Sequence, residues 1–267
     1  MGSEKKRELH EARHTVAFAD SRNLSLLKDN SVKVCVTSPP YFRNKSYETQ
    51  YESYEDYREY LKPVWREVLR VLRPDGLMFL NIGDSFANQF KSHDVARDIV
   101  GCGFHFVQTV IWVKGHHSPV QGERHLNHLF EYIFILSKEA KAYSLNRLAI
   151  GIPYKDKSNI GRWKVAKRDL RCRGDVWHMN YETVQNHSQK LHEAIFPKVL
   201  PETCIKLACS STNDLVLDPF LGSGTTILAA DELGRRSVGY EINRGYEKII
   251  RKKLEGVRGV RYVSLPS

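Results

Sequence analysis

Residues 215–226 read Leu-Val-Leu-Asp-Pro-Phe-Leu-Gly-Ser-Gly-Thr-Thr, and an apolar helical stretch runs over 225–233. A short apolar run ending on Asp218, a turn holding Gly222 and Gly224, and an immediate helix make a strand–loop–helix unit of an α/β sheet. The glycines permit tight curvature and close ligand approach, and the helix N-terminus offers free N–H groups to an anion. Toward a carboxylate-bearing ligand, Thr225 and Thr226 add hydroxyl donors. The turn is not a Walker loop, because no Gly-Lys-Ser/Thr follows it. It also lacks the third glycine of G-x-G-x-x-G, whose place Ile227 takes. The next predicted strand, 237–241, ends on Glu241, an acid placed to accept both hydroxyls of a ribose.

Far upstream, residues 37–41 read Thr-Ser-Pro-Pro-Tyr, directly after the apolar run Val32, Val34, Cys35 and Val36. Two prolines at a strand end fix φ twice and remove two backbone donors. The carbonyls of Ser38 and Pro39 are thereby left to point beyond the strand tip, beside a hydroxyl and the Tyr41 ring. Acceptors for an exocyclic amino group, next to a ring that can stack on a base, suit chemistry on nucleobase amines. Alone, the pentapeptide also fits a plain Pro-Pro turn.

Elsewhere, short apolar runs alternate with helical stretches. Strands are predicted at 15–19, 32–37, 77–82, 109–113, 132–136, 215–218 and 237–241, and helices at 54–72 and 225–233. In the first helix Tyr57, Leu61, Val64, Val68, Leu69 and Leu72 recur at helical spacing, and Pro63 sits where a kink is expected. Arg73-Pro74-Asp75-Gly76 reads as a turn. Between 139 and 183 the periodicity weakens and Lys155, Lys157, Arg162, Lys164, Lys167, Arg168, Arg171 and Arg173 crowd together. That stretch reads as an inserted basic lobe with Trp163 and Leu170 to bury.

The 267 residues suffice for one full core with a small insertion. Lys and Arg number 41 against 31 Asp and Glu, a net charge of +10 that favours a polyanionic partner, nucleic acid first. No stretch has the length of a membrane span, and the charged Glu4–Glu8 start is unlike a signal peptide. Five cysteines with no C-x-x-C pair argue against a disulfide framework and a zinc site, and fit free thiols in the cytoplasm. His116, His117, His125 and His128 read as ordinary loop histidines rather than metal ligands.

Together, Thr-Ser-Pro-Pro-Tyr and the later Asp-Pro-Phe-x-Gly-Ser-Gly-Thr-Thr resemble the catalytic motif and S-adenosylmethionine loop of the DNA amino-methyltransferases. The catalytic-type motif precedes the cofactor loop with the basic lobe between them, an order that resembles the β-group of that family. The resemblance implies a Rossmann-like class I methyltransferase fold: a mixed, circularly permuted α/β sheet carrying a small target-recognition lobe. Residues 1–138 and 184–267 are then the catalytic and cofactor halves, and 139–183 the lobe. Permutation implies that the strand at 15–19 lies beside the one ending at Glu241, with the termini close. Residues 110–138 are similar to a hairpin-like pair of later strands in the family, with Ser118-Pro119 between them.

The resemblance also implies the site. Ser38, Pro39, Pro40 and Tyr41 are the expected catalytic residues, with Phe42 supporting the wall. Asp20, His192, Phe196, Pro197, Asp218, Phe220, Gly222, Ser223, Gly224, Thr225, Thr226, Glu241 and Asn243 are the expected cofactor contacts. Lys114, Arg124, Lys155, Arg162, Lys164 and Arg168 are the candidates for double-stranded DNA, and a restriction endonuclease acting on the same site is the expected partner. The Ser form of the motif is associated mostly with cytosine N4 and the Asp form with adenine N6. Ser38 offers one donor, suited to cytosine N3, as well as an acceptor. Adenine-N6 methylation and a non-catalytic DNA-binding relative remain the alternatives.

Overall fold

Val32–Thr37 is buried along its whole length, as a strand covered on both faces must be. Its side chains alternate between two cores: Val34 and Val36 face one, Val32 and Cys35 the other. The computed structural model describes residues 12–42, 51–86, 88–115, 124–161, 169–180 and 196–265. Ser118, Pro119, Arg162, Trp163, Lys164, Lys167, Arg168 and His192 lie outside the described residues, as do His116 and His117.

The described strands, in chain order, are β1 (His14–Phe18), β2 (Val32–Thr37), β3 (Leu72–Ile82), β4 (His105–Lys114), β5 (Phe130–Ser137), β6 (Val176–Met179), β7 (Leu215–Asp218), β8 (Arg236–Glu241) and β9 (Val260–Ser264). They form one sheet in the order β6-β4-β5-β3-β2-β7-β8-β1-β9. Only β5 runs against its neighbours β3 and β4; the other pairings are parallel. The C-terminal ends of the parallel strands and the N-terminal end of β5 therefore share one edge. Ligands bind at that edge in open α/β sheets, at the point where the strand order reverses.

β1 lies between β8 and β9, with Phe18 opposite both Glu241 and Ser264. The predicted neighbour of the Glu241 strand is thus its neighbour in space. Two strands escaped the sequence reading. β6 adds an edge to β4 and buries Trp177, so 176–179 belong to the main sheet rather than to a separate lobe. β9 closes the opposite edge. The predicted turn at 73–76 is instead a bulge inside β3: Val32 pairs with Leu72 and Val34 with Leu77. The Lys33 ammonium holds this bulge through the Asp75 carbonyl and carboxylate, both at 2.8 Å.

Helix α1 (Tyr54–Val71) begins with a Ser53/Asp56 capping box and buries Tyr57, Leu61, Val64, Trp65, Val68 and Val71. It continues through Pro63 and stops at Val71, where Leu72 turns extended. With α2 (Lys91–Gly101) it covers one face of the sheet, while α3 (Val199–Ala208), α4 (Thr225–Glu232) and α5 (Glu247–Lys253) pack on the other. In the expected lobe, residues 143–150 lie on the second core through Tyr143, Leu145 and Ile150. Beyond them, a two-way backbone pairing joins Ile152 and Arg171. No helix among the described residues is long and apolar enough to cross a membrane.

Candidate active site

Asp218 ends β7 and is 1% exposed. Its Oδ1 accepts the Thr37 hydroxyl at 2.8 Å and the Phe220 N–H at 3.1 Å, and its Oδ2 accepts the Thr226 hydroxyl at 2.6 Å. One carboxylate thus ties the last residue of β2 to both ends of the glycine loop. Burial raises its pKa to about 6, and the Thr226, Thr37 and Phe220 donors keep it from rising further. Gly222 takes φ +54 and Gly224 φ +92, left-handed conformations that a side chain resists. A Cβ on Gly222 would meet nothing within 4 Å, so the loop opens onto free space there.

Glu241 stands at the next strand tip. Its Oε2 accepts the Gly222 N–H at 2.8 Å and its Oε1 the Asn243 N–H at 2.7 Å. Burial lifts its pKa to about 7 against the pull of these two donors, and the nearby Asp218 charge adds to the rise. Past the end of β1, Asp20 accepts the Arg22 N–H at 2.8 Å and the Arg22 side chain at 2.7 Å. Three acids therefore stand at three adjacent parallel strand tips, around a loop with open space. That set of acceptors suits a ligand carrying ribose hydroxyls and amines, and it fits an adenosine-containing cofactor.

The remaining expected cofactor contacts are distributed unevenly. The Ser223 and Thr225 hydroxyls lie 3.2 Å apart, and both receive the Lys253 ammonium of α5, at 2.9 and 2.8 Å. Thr226 donates to Asp218, so its hydroxyl proton is engaged by the protein. Phe220 packs edge-on against Trp65, with ring centroids 5.8 Å apart. Asn243 accepts the Gly245 N–H on the surface. Phe196 is half-buried against the α3 side of the core, and the Pro197 carbonyl accepts the Leu200 N–H at the start of α3.

At the tip of β2, the Ser38 hydroxyl donates to the Tyr41 hydroxyl at 3.0 Å. The Tyr41 hydroxyl donates to Glu131 Oε2 at 3.0 Å. Glu131 lies at the start of β5, 6% exposed, with Asn81 Nδ2 also on Oε2 at 3.0 Å and the Lys114 ammonium on Oε1. A Lys91 ammonium stands 5.6 Å from the centre of the Tyr41 ring. The Pro40 carbonyl takes the Tyr57 hydroxyl at 2.9 Å. Phe42 packs among Tyr51, Tyr54 and Tyr57, which braces the turn from behind.

Lys114 thus faces the strand-tip cluster, whereas Arg124 and Lys155 are on the surface. His125 and His128 pack against Phe86 at 4.7 and 4.3 Å, and among the described residues no three His, Cys, Asp or Glu side chains group as a metal site. Sequence reasoning missed Glu131, Asn81, Arg22, Tyr57 and Lys253. Glu131 did leave a signal: a lone acid at the head of the apolar run Phe130-Glu-Tyr-Ile-Phe-Ile-Leu. Charges in such runs are retained where they have partners.

The DNA methylase family model matches residues 32–252. Type II methyltransferase M.MjaI of Methanocaldococcus jannaschii is 29% identical, with 90% of this chain and 91% of its own length covered. The structure of TTHA0409 from Thermus thermophilus, complexed with S-adenosyl-L-methionine, is 27% identical. It matches with a TM-score of 0.66 over 95% of this chain and 99% of its own. The PvuII cytosine-N4-specific DNA methyltransferase shares the fold at a TM-score of 0.70 and 19% identity, over 96% and 98% of the two chains.

Proposed function

Since the chain belongs to the DNA methylase family of the N6/N4 type and uses S-adenosylmethionine, we propose that it methylates the N4 amino group of a cytosine turned out of duplex DNA. The observation that carries this reading is Asp218, whose carboxylate joins the Ser-Pro-Pro-Tyr strand to the glycine loop through Thr37 and Thr226. Amine-holding acceptors and the cofactor loop are thereby fixed to one another at a single sheet edge.

S-adenosylmethionine, when bound, supplies an electrophilic methyl group. Glu241 and Asp20 hold its adenosine end, the first by accepting ribose hydroxyls and the second by meeting the adenine amine. The exocyclic amine of a base is a poor nucleophile because its lone pair is delocalised into the ring. Ser38 Oγ and the Pro39 carbonyl accept its hydrogens and bias the nitrogen toward tetrahedral geometry. Among the described residues none donates to that carbonyl, whereas Pro40's is taken by Tyr57. The Tyr41 ring stacks on the base once it has left the duplex. Most of the rate then comes from positioning and preorganised acceptors.

The choice of cytosine is supported by the Ser at position 38. The net charge of +10 and the surface Arg124 and Lys155 support double-stranded DNA as the partner, with the segment around Lys155 and the basic residues 162–168 as the recognition lobe. The type II name of the M. jannaschii relative supports a restriction endonuclease with the same site. The test is transfer of labelled methyl from S-adenosylmethionine to duplex DNA, followed by hydrolysis to nucleosides. Labelled N4-methylcytosine is expected; N6-methyladenine alone would overturn the base assignment, and no label would overturn the activity. Tyr41→Ala should lose turnover more than cofactor affinity, and Glu241→Ala the reverse.

A further inference from the structure

Resting on the amine-methylating role just given to Ser38, we infer that Glu131 is the positioning residue that makes the Ser38 hydroxyl an acceptor toward the target base. A carboxylate accepts hydrogen bonds and donates none. Glu131 receives three donors: Lys114 on Oε1, with Asn81 and Tyr41 on Oε2. The single hydroxyl proton of Tyr41 has Glu131 Oε2 at 3.0 Å as its nearest acceptor, ahead of the Asn81 carbonyl and side-chain oxygens at 3.4 Å, so at the 3.0 Å contact with Ser38 the tyrosine oxygen accepts. The single proton of Ser38 must therefore fill that contact. What Ser38 presents to a ligand is its lone pairs. The direction of every bond in the chain Ser38–Tyr41–Glu131 follows from the charge at its end.

The seat of Glu131 is built for it. A Cβ on Gly83 would lie 2.9 Å from Glu131 Cγ, closer than such atoms come, so glycine there leaves the carboxylate its place. Asn81 is held in turn, since its Nδ2 also reaches the Tyr132 carbonyl at 3.2 Å. Glu131 itself is fixed by strand pairing to Trp112, two residues before Lys114. Acid and cation thus arrive from adjacent antiparallel strands.

The consequence is a site that selects for hydrogens rather than lone pairs on the base. An exocyclic amine meets an acceptor; a carbonyl at the same position meets lone pairs of like sign. The donor role of Ser38 toward cytosine N3, expected from sequence, is withdrawn by this chain. Ser38 then discriminates amine from carbonyl, and its bearing on cytosine is the association of the Ser form of the motif with cytosine N4 rather than a donor to N3.

Glu131→Gln reverses the chain. The amide can donate to the Tyr41 oxygen, Tyr41 then donates to Ser38, and the Ser38 proton is released toward the base. Tyr41→Phe keeps the ring and the Glu131–Lys114 pair but removes the link, which serves if the Gln variant folds poorly. Binding of short deoxycytidine and deoxyuridine single strands in the presence of S-adenosylhomocysteine reads the orientation without turnover and without a known recognition sequence. The wild-type protein should prefer deoxycytidine by about tenfold, the worth of one mismatched buried polar contact. Both variants should fall below about twofold while cofactor affinity stays within about twofold, and turnover should drop on the order of 100-fold. Unchanged preference in both variants would overturn the inference. Absence of methyl transfer by the wild-type protein would instead overturn the functional reading, and the strand preferences would still decide the orientation of Ser38.

Discussion

Replacing Thr37 by Val removes one hydroxyl from a fully buried position and leaves the shape of the side chain nearly unchanged. The lost bond is the 2.8 Å contact to Asp218 Oδ1, while the Thr226 and Phe220 bonds remain. A hydrogen bond to an ionised group contributes about 1.5–3 kcal/mol, and one to a neutral group about 0.5–1.5 kcal/mol. Which value applies depends on pH, because burial lifts the Asp218 carboxyl from 3.8 to about 6. The folded protein holds that proton more tightly than the unfolded chain. Stability from this group is therefore lost as pH rises from 3.8 toward 6, and is level above it. At pH 8 the carboxylate is ionised and Thr37→Val should cost about 2 kcal/mol, or about 4–8 °C in Tm for a domain of this size. At pH 5 Asp218 is protonated in the folded state, and the loss should fall to about 1 kcal/mol, or about 2–4 °C. Melting followed by circular dichroism at the two pH values measures both. Equal losses at pH 5 and pH 8 would refute the account of Asp218 as a buried carboxylate held by Thr37.

Glu241, with its pKa raised to about 7, must be ionised to accept two ribose hydroxyls, so cofactor affinity should weaken about tenfold between pH 8 and pH 6. Calorimetric titration of S-adenosylmethionine checks this, and a flat profile would remove Glu241 from the ribose. Gly222→Ala forces a side chain into φ +54 and should cost about 1–2 kcal/mol, with a further loss of cofactor affinity because the new methyl enters the open space above the loop. A melting curve and a cofactor titration separate the two effects; full affinity would place the ligand elsewhere. Lys155→Ala should weaken binding to all duplexes alike and reduce the salt dependence by about one counterion, measured by anisotropy across a salt series. A change confined to one sequence would make Lys155 a base reader instead.

The strands that sequence located to the residue, β2 and β7, are short apolar runs bounded by polar residues or proline and buried by their position inside the sheet. The two it missed are edges. β6 alternates exposed and buried residues over only Val-Trp-His-Met, and β9 is half-buried until Ser264, which is exposed. A short strand with little burial leaves little pattern, and only a neighbour in the sheet makes it a strand. The same holds for the site. The positions of Asp218 and Glu241 at strand tips beside the glycine loop were legible because each ends an apolar run. Glu131 was not, because its meaning lies in Tyr41, Asn81 and Lys114, which reach it from three other parts of the chain.

The place of β1 between β8 and β9 has a consequence for synthesis. During translation the strand of residues 14–18 leaves the ribosome well before both of its partners, which are made more than 200 residues later, from 236 onward. Asp20 cannot take its station beside Glu241 until β8 has emerged. The tips of β1 and β8 are thus joined only after residue 241 has been made, and the loop-closure entropy of bringing such distant segments together weighs on that step. Nascent chains carrying the whole Ser-Pro-Pro-Tyr strand but not yet β8 would still lack the pairing that sets Phe18 opposite Glu241.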